Sequence, residues 1–306
     1  MSSTAQNSIQ EPPTLSASAW IAENETLVSR NGHHISYRRR GRGPTVLLLH
    51  GFPTWSYDWV GVAKDLEADH DVVTLDFLGY GASDKPSPYN YSVDKSADII
   101  EDVFALLKIS SSHLAAHDYG GIVAQELLDR RRSKRLPFSI KTVAICNSAI
   151  VYSAYRPTIL QRLLAVPYLG AFLARNTTTD LLRKGFEGAW GKSAPITDEQ
   201  FENLWHGISL KKGFAISHLL IGYNAERAIH SERWEAALAA WDGPLHLIWG
   251  LDDPVSGQHV LDLAVEKYRR VSVTRLEGVG HFPPDEAPLA VSKAIRAAVA
   301  AADHEG

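Results

Sequence analysis

The sequence predicts an α/β protein: a mostly parallel β-sheet with helices on both faces and a helical cap inserted into the chain. Three observations lead there. Short apolar runs of strand length alternate with helical patterns, the signature of a parallel sheet covered on both sides. The first five runs each end in loop-forming or polar residues. The alternation then stops over residues 151–241, where the chain turns helical and aromatic-rich, and resumes at Pro244.

Taken in order, residues 1–18 are rich in Ser, Thr, Ala, Gln and Pro, without the basic start and apolar core of a secretory leader, and are expected to be a disordered tail. Arg38, Arg39, Arg40 and Arg42 lead into the first apolar run and read as a solvated strand end. Strands are expected over residues 46–49, 72–75, 113–116, 142–146, 245–249 and 271–276, each with the β-branched or Leu content that suits a buried pleat. A helical pattern over residues 122–130 closes in Arg130, Arg131, Arg132, Lys134 and Arg135, cations suited to a helix C-terminus. Within the expected cap, residues 151–241, Thr197-Asp198-Glu199-Gln200 has the spacing of a capping box and starts a helix. The core is then residues 19–150 and 242–306, ending in an Ala-rich helix over about residues 288–302.

At 306 residues, 45% hydrophobic and 22% charged, the chain can build one large core or a core plus a lid. Its net charge of −4 argues against a nucleic-acid partner, which calls for a clustered basic excess. No stretch reaches the ~20 uninterrupted apolar residues of a membrane span. The single cysteine, Cys146, lies in an apolar run and has no intramolecular partner, so a reducing, cytoplasmic setting is expected. His33-His34 lacks ligands at usable spacing, and Gly41-Arg42-Gly43 precedes a strand rather than joining strand to helix, so neither metal nor cofactor is expected. The expected assembly is a monomer or a homodimer.

Chemistry concentrates at the ends of the runs, where open parallel sheets bind their ligands. Ala116-His117-Asp118-Tyr119-Gly120-Gly121 joins a strand to a helix, with small residues two before and two after Asp118, the spacing of a nucleophile elbow. His50-Gly51-Phe52-Pro53 follows an earlier strand and can aim the Phe52 N–H at that elbow. With the Tyr119 N–H it makes a two-donor oxyanion hole. Gly280-His281-Phe282-Pro283-Pro284, late in the chain, offers His281 as the base. Trp249-Gly250-Leu251-Asp252-Asp253-Pro254 offers Asp252 or Asp253 to orient it.

These residues resemble the α/β-hydrolase superfamily over nearly all of residues 20–302, and within it the epoxide hydrolase and haloalkane dehalogenase branch. The chain also looks like the mesoderm-specific transcript proteins through Leu75-Asp76-Phe77-Leu78-Gly79-Tyr80-Gly81, Ser83-Asp84-Lys85-Pro86, His117-Asp118-Tyr119-Gly120 and the helix from Ile122 to Leu128. The resemblance implies the α/β-hydrolase fold with its cap after the sixth strand, and its spacing selects Asp253 as the third triad member. An Asp nucleophile attacks saturated carbon to give an alkyl ester of the enzyme, whereas attack on an ester would give an anhydride. The expected function is therefore an epoxide hydrolase acting on a small apolar epoxide and water to give a vicinal diol. Alternatives are a haloalkane dehalogenase, an esterase-like hydrolase or a non-catalytic ligand-binding member of the fold.

Epoxide hydrolases place acid tyrosines in the lid, and Ile221-Gly222-Tyr223-Asn224 resembles one such segment. Tyr223 is thus the expected donor, with Tyr152 and Tyr155 as candidate seconds. Trp55 and His50 complete the candidates for substrate binding, and Trp55, Trp190 or Trp205 could supply an indole N–H to a departing halide.

Overall fold

The computed structural model describes residues 15–303. Its eight strands are β1 (Glu25–Val28), β2 (His34–Gly41), β3 (Thr45–Leu49), β4 (Asp71–Leu75), β5 (Ser111–His117), β6 (Ser139–Cys146), β7 (Leu245–Gly250) and β8 (Val271–Leu276). They form one sheet in the order β1-β2-β4-β3-β5-β6-β7-β8. From β4 through β8 neighbours run parallel, and β1 and β2 extend that edge antiparallel.

All six apolar runs are strands, β3 to β8, while β1 and β2 fall in sequence that carries no apolar run. The basic composition of β2 hides it, and the solvated reading of its arginines is corrected by burial. Arg38 is fully buried, lies 4.5 Å over the Trp20 ring and pairs with Glu23 and Glu67, and Arg39 forks onto Asp71. Arg130 is corrected likewise, a buried cation that holds Asp94, Asp98, Glu101 and Glu126.

Helices cover both faces. Four come before the cap: α1 (Ala17–Ala22), α2 (Val60–Leu66), α3 (Val93–Leu107) and α4 (Tyr119–Arg132). After β6 the cap runs through α5 (Ile159–Leu164), α6 (Leu169–Asn176), α7 (Thr179–Ala189), α8 (Asp198–Ser209), α9 (Ser217–Leu220) and α10 (Tyr223–Ala239). The capping box expected at Thr197 is present and starts α8. The chain closes with α11 (Gln258–Lys267), α12 (Pro283–Glu286) and α13 (Pro288–Asp303).

The two-residue period of the strands divides the core between these layers. Leu47 and Leu49 of β3 pack with Ile100 of α3 and Val123 of α4, whereas Val46 and Leu48 pack with Trp20 of α1, Val62 of α2 and Val291 of α13. Each such aliphatic side chain contributes about 1.5–3 kcal/mol by leaving water.

Residues 1–14 of the expected tail lie outside the described residues. Its last residues are structured rather than tail: Ser16 caps α1 through its side chain, and the Ala17 N–H donates to Asn203 Oδ1 at 2.8 Å. Burial of Trp20 against Arg38 and Ser56 is what anchors them.

The register aligns the carboxyl ends of five strands. Leu49 faces Ala116, His117 faces Cys146, Cys146 faces Ile248, and Gly250 faces Leu276. The loops after β3, β5, β6, β7 and β8 therefore open along one edge, under the cap.

Candidate active site

Asp118 sits on the turn from β5 into α4 with φ 45° and ψ −111°, a conformation that costs a non-glycine residue about 1–3 kcal/mol. Its main chain is held on both sides: its N–H donates to Cys146 O, and Ser148 Oγ donates to its carbonyl at 2.7 Å. Gly120 lets α4 start directly against β3, since a Cβ there would stand 2.5 Å from Leu49 O. Gly51 does the same for the carboxylate, because a Cβ there would lie 2.8 Å from Asp118 Cβ. Of the two small residues expected around the elbow, Gly120 is thus required by contact.

The carboxylate accepts the Phe52 N–H at 2.9 Å on Oδ2. Of the two expected oxyanion donors, Phe52 is the one bonded to Asp118 among the described residues. Tyr119 opens α4 beside it, and its side chain turns inward, its hydroxyl 2.8 Å from Ser96 Oγ and its ring 4.9 Å from that of Tyr223.

His281 Nδ1 bonds Asp253 Oδ2 at 2.8 Å, and Nε2 lies 3.8 Å from Asp118 Oδ1. All three side chains are buried. Burial works against a charged imidazole, but Asp253, Asp118 and Glu286 outweigh it and push His281 up to about 9. Burial likewise opposes the Asp253 charge, yet the facing imidazolium and the Asn147 amide hold that carboxyl below its usual range. Asp252 points away, toward the Lys192 N–H, so Asp253 is the carboxylate that meets His281.

Three supporting residues escape a reading of motifs. Asn147, the first residue after β6, donates from Nδ2 to Asp253 Oδ2 and to Gly250 O, and accepts the Gly250 N–H, tying β6 to the acid. Its place at a strand end was its one signal. Glu286 accepts the N–H groups of Gly191, Gly280 and Phe282 at 2.8–2.9 Å and so pins the His281 loop to the cap. Arg227 lies one helical turn after Tyr223 on α10. It is almost fully buried, donates to Ala149 O at 2.6 Å and to Asn224 Oδ1, and stacks 4.4 Å over the Tyr155 ring. Among the described residues it has no carboxylate partner.

The cap completes the site. A cavity of about 320 Å³ is walled by Phe52, Leu164, Phe186, Phe214, His281 and Phe282, an apolar lining that the His281 imidazole joins. Tyr223 is buried with its ring 6.2 Å from Phe52. Tyr155 is half-buried, donates to Gln161 Oε1 at 2.9 Å and accepts from Asn224 Nδ2 at 3.4 Å. Burial first, and then the Asp118 charge, raise both phenols, Tyr155 to about 12 and Tyr223 well above the usual range; Arg227 opposes this at both.

Three expected participants stand elsewhere. His50 is spent on the backbone, its Nδ1 bonded to Gly51 O and its Nε2 accepting the Phe77 N–H, so no ring nitrogen is left for a substrate. Trp55 stacks on Tyr57 and packs against Gly207 of α8, fully buried, because its loop turns it under the cap and away from the cavity. Tyr152 is 40% exposed on the outer side of the Tyr155 turn. No grouping of His, Cys, Asp and Glu that could hold a metal occurs among the described residues, and none of their helices is long and apolar enough to cross a membrane.

Residues 44–288 match the family model described as the alpha/beta hydrolase fold. The chain is 37% identical to LipZ of Mycobacterium tuberculosis over 254 residues, 83% of this chain and 88% of that one. It is 36% identical to the mesoderm-specific transcript homolog protein of Homo sapiens over 258 residues, 81% of this chain and 76% of that one. In three dimensions it superposes on the haloalkane dehalogenase DbeA of Bradyrhizobium elkani with a TM-score of 0.77 at 22% identity, covering 92% of this chain and 99% of that one.

Proposed function

The chain belongs to the alpha/beta hydrolase fold family, and from that premise we propose that it is an epoxide hydrolase whose nucleophile is the carboxylate of Asp118. An Asp118 oxygen attacks a ring carbon of the epoxide, the C–O bond breaks, and the ring oxygen takes a proton from Tyr223 or Tyr155. The product of this step is an alkyl ester of Asp118. His281, oriented by Asp253, then removes a proton from water as that water attacks the ester carbonyl, and the Phe52 and Tyr119 N–H groups hold the oxyanion. Collapse releases a vicinal diol, regenerates the carboxylate and leaves the imidazole protonated as at rest, the tyrosine having regained its proton by way of His281.

The observation that carries this reading is the buried Tyr223, its ring 6.2 Å from Phe52 and 4.9 Å from Tyr119, the residues that flank Asp118, with the half-buried Tyr155 bonded to Asn224, the next residue of α10; the Asp118 charge raises both phenols. The raised His281 supports it. The imidazole holds a proton at rest; esterification removes the Asp118 charge and weakens that hold, so the proton passes to the tyrosinate left by ring opening and the neutral ring is free to act as a base. A haloalkane reading keeps one observation in its favour: the indole N–H groups of Trp190, which stacks on Phe282, and of Trp55 are buried without a hydrogen-bond partner among the described residues. The buried thiol Cys146 supports a reducing, cytoplasmic compartment.

The test is to incubate His281→Gln with styrene oxide or 1-bromobutane and weigh the protein and its Asp118 peptide. The proposal expects a styrene-oxide ester on Asp118 and diol from the wild type. Halide release with an alkylated Asp118 would shift the reading to dehalogenation, and the absence of any adduct or turnover would end both.

A further inference from the structure

The outer face of the cap carries a feature that the hydrolytic site does not use. Ile159, Leu163 and Val166 repeat at helical spacing along and just past α5, and Leu169 and Phe172 continue the series on α6. All five are exposed, Ile159 at 78% and Phe172 at 62%. Between the two helices Tyr168 projects at 92% exposure from a backbone with φ 61°, a left-handed conformation that is unfavourable for an aromatic residue. Ordinary packing leaves such side chains covered; here they stand in solvent.

Charge says what covers them. Residues 151–179 contain Arg156, Arg162 and Arg175 and no Asp or Glu, in a chain whose net charge is −4. All three arginines are exposed, and none has an ion-pair partner among the described residues. A second copy of the chain is a poor occupant, because a two-fold contact through this face would set the same arginines against each other. An anionic bilayer surface fits both features: apolar and aromatic side chains enter the headgroup boundary while arginines meet lipid phosphates. The inner face of α5 lines the cavity through Leu160, Gln161 and Leu164, and Ile159 belongs to both the wall and the exposed face, so the mouth opens at the patch itself.

We propose that the α5–α6 face of the cap docks on anionic membrane surfaces, placing the cavity mouth where apolar substrates partition. The contact is peripheral and buries only the cap's outer side chains.

The experiment is co-sedimentation of the full chain with vesicles of phosphatidylcholine alone or of phosphatidylcholine with phosphatidylglycerol. Binding to the mixed vesicles is expected, weak to the neutral ones and reduced as salt rises from about 0.1 M to about 1 M. Tyr168→Ser with Phe172→Ser, and separately Arg162→Gln with Arg175→Gln, should each weaken binding about tenfold or more while leaving the thermal unfolding transition in place. Equal binding by wild type and both variants, or no binding to either vesicle, overturns the proposal. So does a dimer in analytical ultracentrifugation that the Tyr168/Phe172 variant dissociates. Vesicle binding needs no turnover, so it fails or succeeds apart from the hydrolytic reading.

Discussion

His281 Nε2 stands 3.8 Å from Asp118 Oδ1, beyond a hydrogen bond. The two halves of the proposed reaction are thereby separate: the Asp118 carboxylate attacks without a base, and His281 acts only on the ester. His281→Gln should therefore form the alkyl-enzyme in a single burst and lose steady-state turnover by about 10²-fold or more. Rapid-quench kinetics with styrene oxide checks this, and loss of the burst together with turnover would contradict it.

The His281 imidazole should titrate near 9 in the wild type, visible in the NMR shifts of its ring protons. In Asp118→Asn the titration should move down, since one of the charges holding the proton is gone. The sign for stability follows from the same elevation. A group raised in the folded state stabilises fully below its unfolded value, 6.5 here, and loses that contribution as pH rises through about 9. The melting-temperature difference between wild type and His281→Gln should shrink across that window. A difference constant with pH would show that His281 is not charged in the fold.

Tyr155→Phe and Tyr223→Phe should each slow epoxide opening, and the double variant should lower it by about 10²–10⁴-fold. Alkylation by 1-bromobutane, whose leaving group needs no proton, should be much less affected. Equal loss on both substrates would mean that the phenols serve packing rather than proton transfer.

Arg227→Gln removes the cation stacked on Tyr155 and leaves the phenols weaker acids. Ring opening should slow about tenfold or more, and the alkaline limb of its pH profile should move up in pH. Arg227→Lys should restore part of the rate. A drop in rate with the limb unmoved would assign Arg227 to packing alone.

Arg130→Met should destabilise the fold by about 3–5 kcal/mol, because Glu126 is left buried with one partner fewer and Asp94, Asp98 and Glu101 lose their common cation. Urea unfolding measures it. A change under about 1 kcal/mol would show the cluster to be solvated in effect.

What could be read from the sequence was what is local in it. The parallel strands announce themselves by apolar runs, and the elbow by its small residues, of which contact forces Gly120. His281 and Phe52 lie in short loops rich in Gly and Pro. What was hidden depends on partners far along the chain. The arginines of β2 form a strand because Glu23, Glu67 and Asp71 receive them, and no window around Arg38 contains all of those carboxylates. His50 carries the spacing of a site residue, but its ring is consumed by the Phe77 N–H 27 residues away. Tyr152 and Tyr155 are neighbours on one turn, and only the winding of the cap decides that the second meets Asn224 and lies under the Arg227 guanidinium. Arg227 looks like any helix-surface cation until α10 folds it under the cap.

The main chain at Asp118 is held by Cys146, Ser148 and the tight approach of Gly120 to Leu49, and none of these contacts touches its carboxylate. The fold thus specifies a place for a nucleophile without specifying which nucleophile. A lineage built on this frame can exchange one kind of bond-breaking for another at a single codon and keep its architecture, which makes position 118 a point of evolutionary interchange.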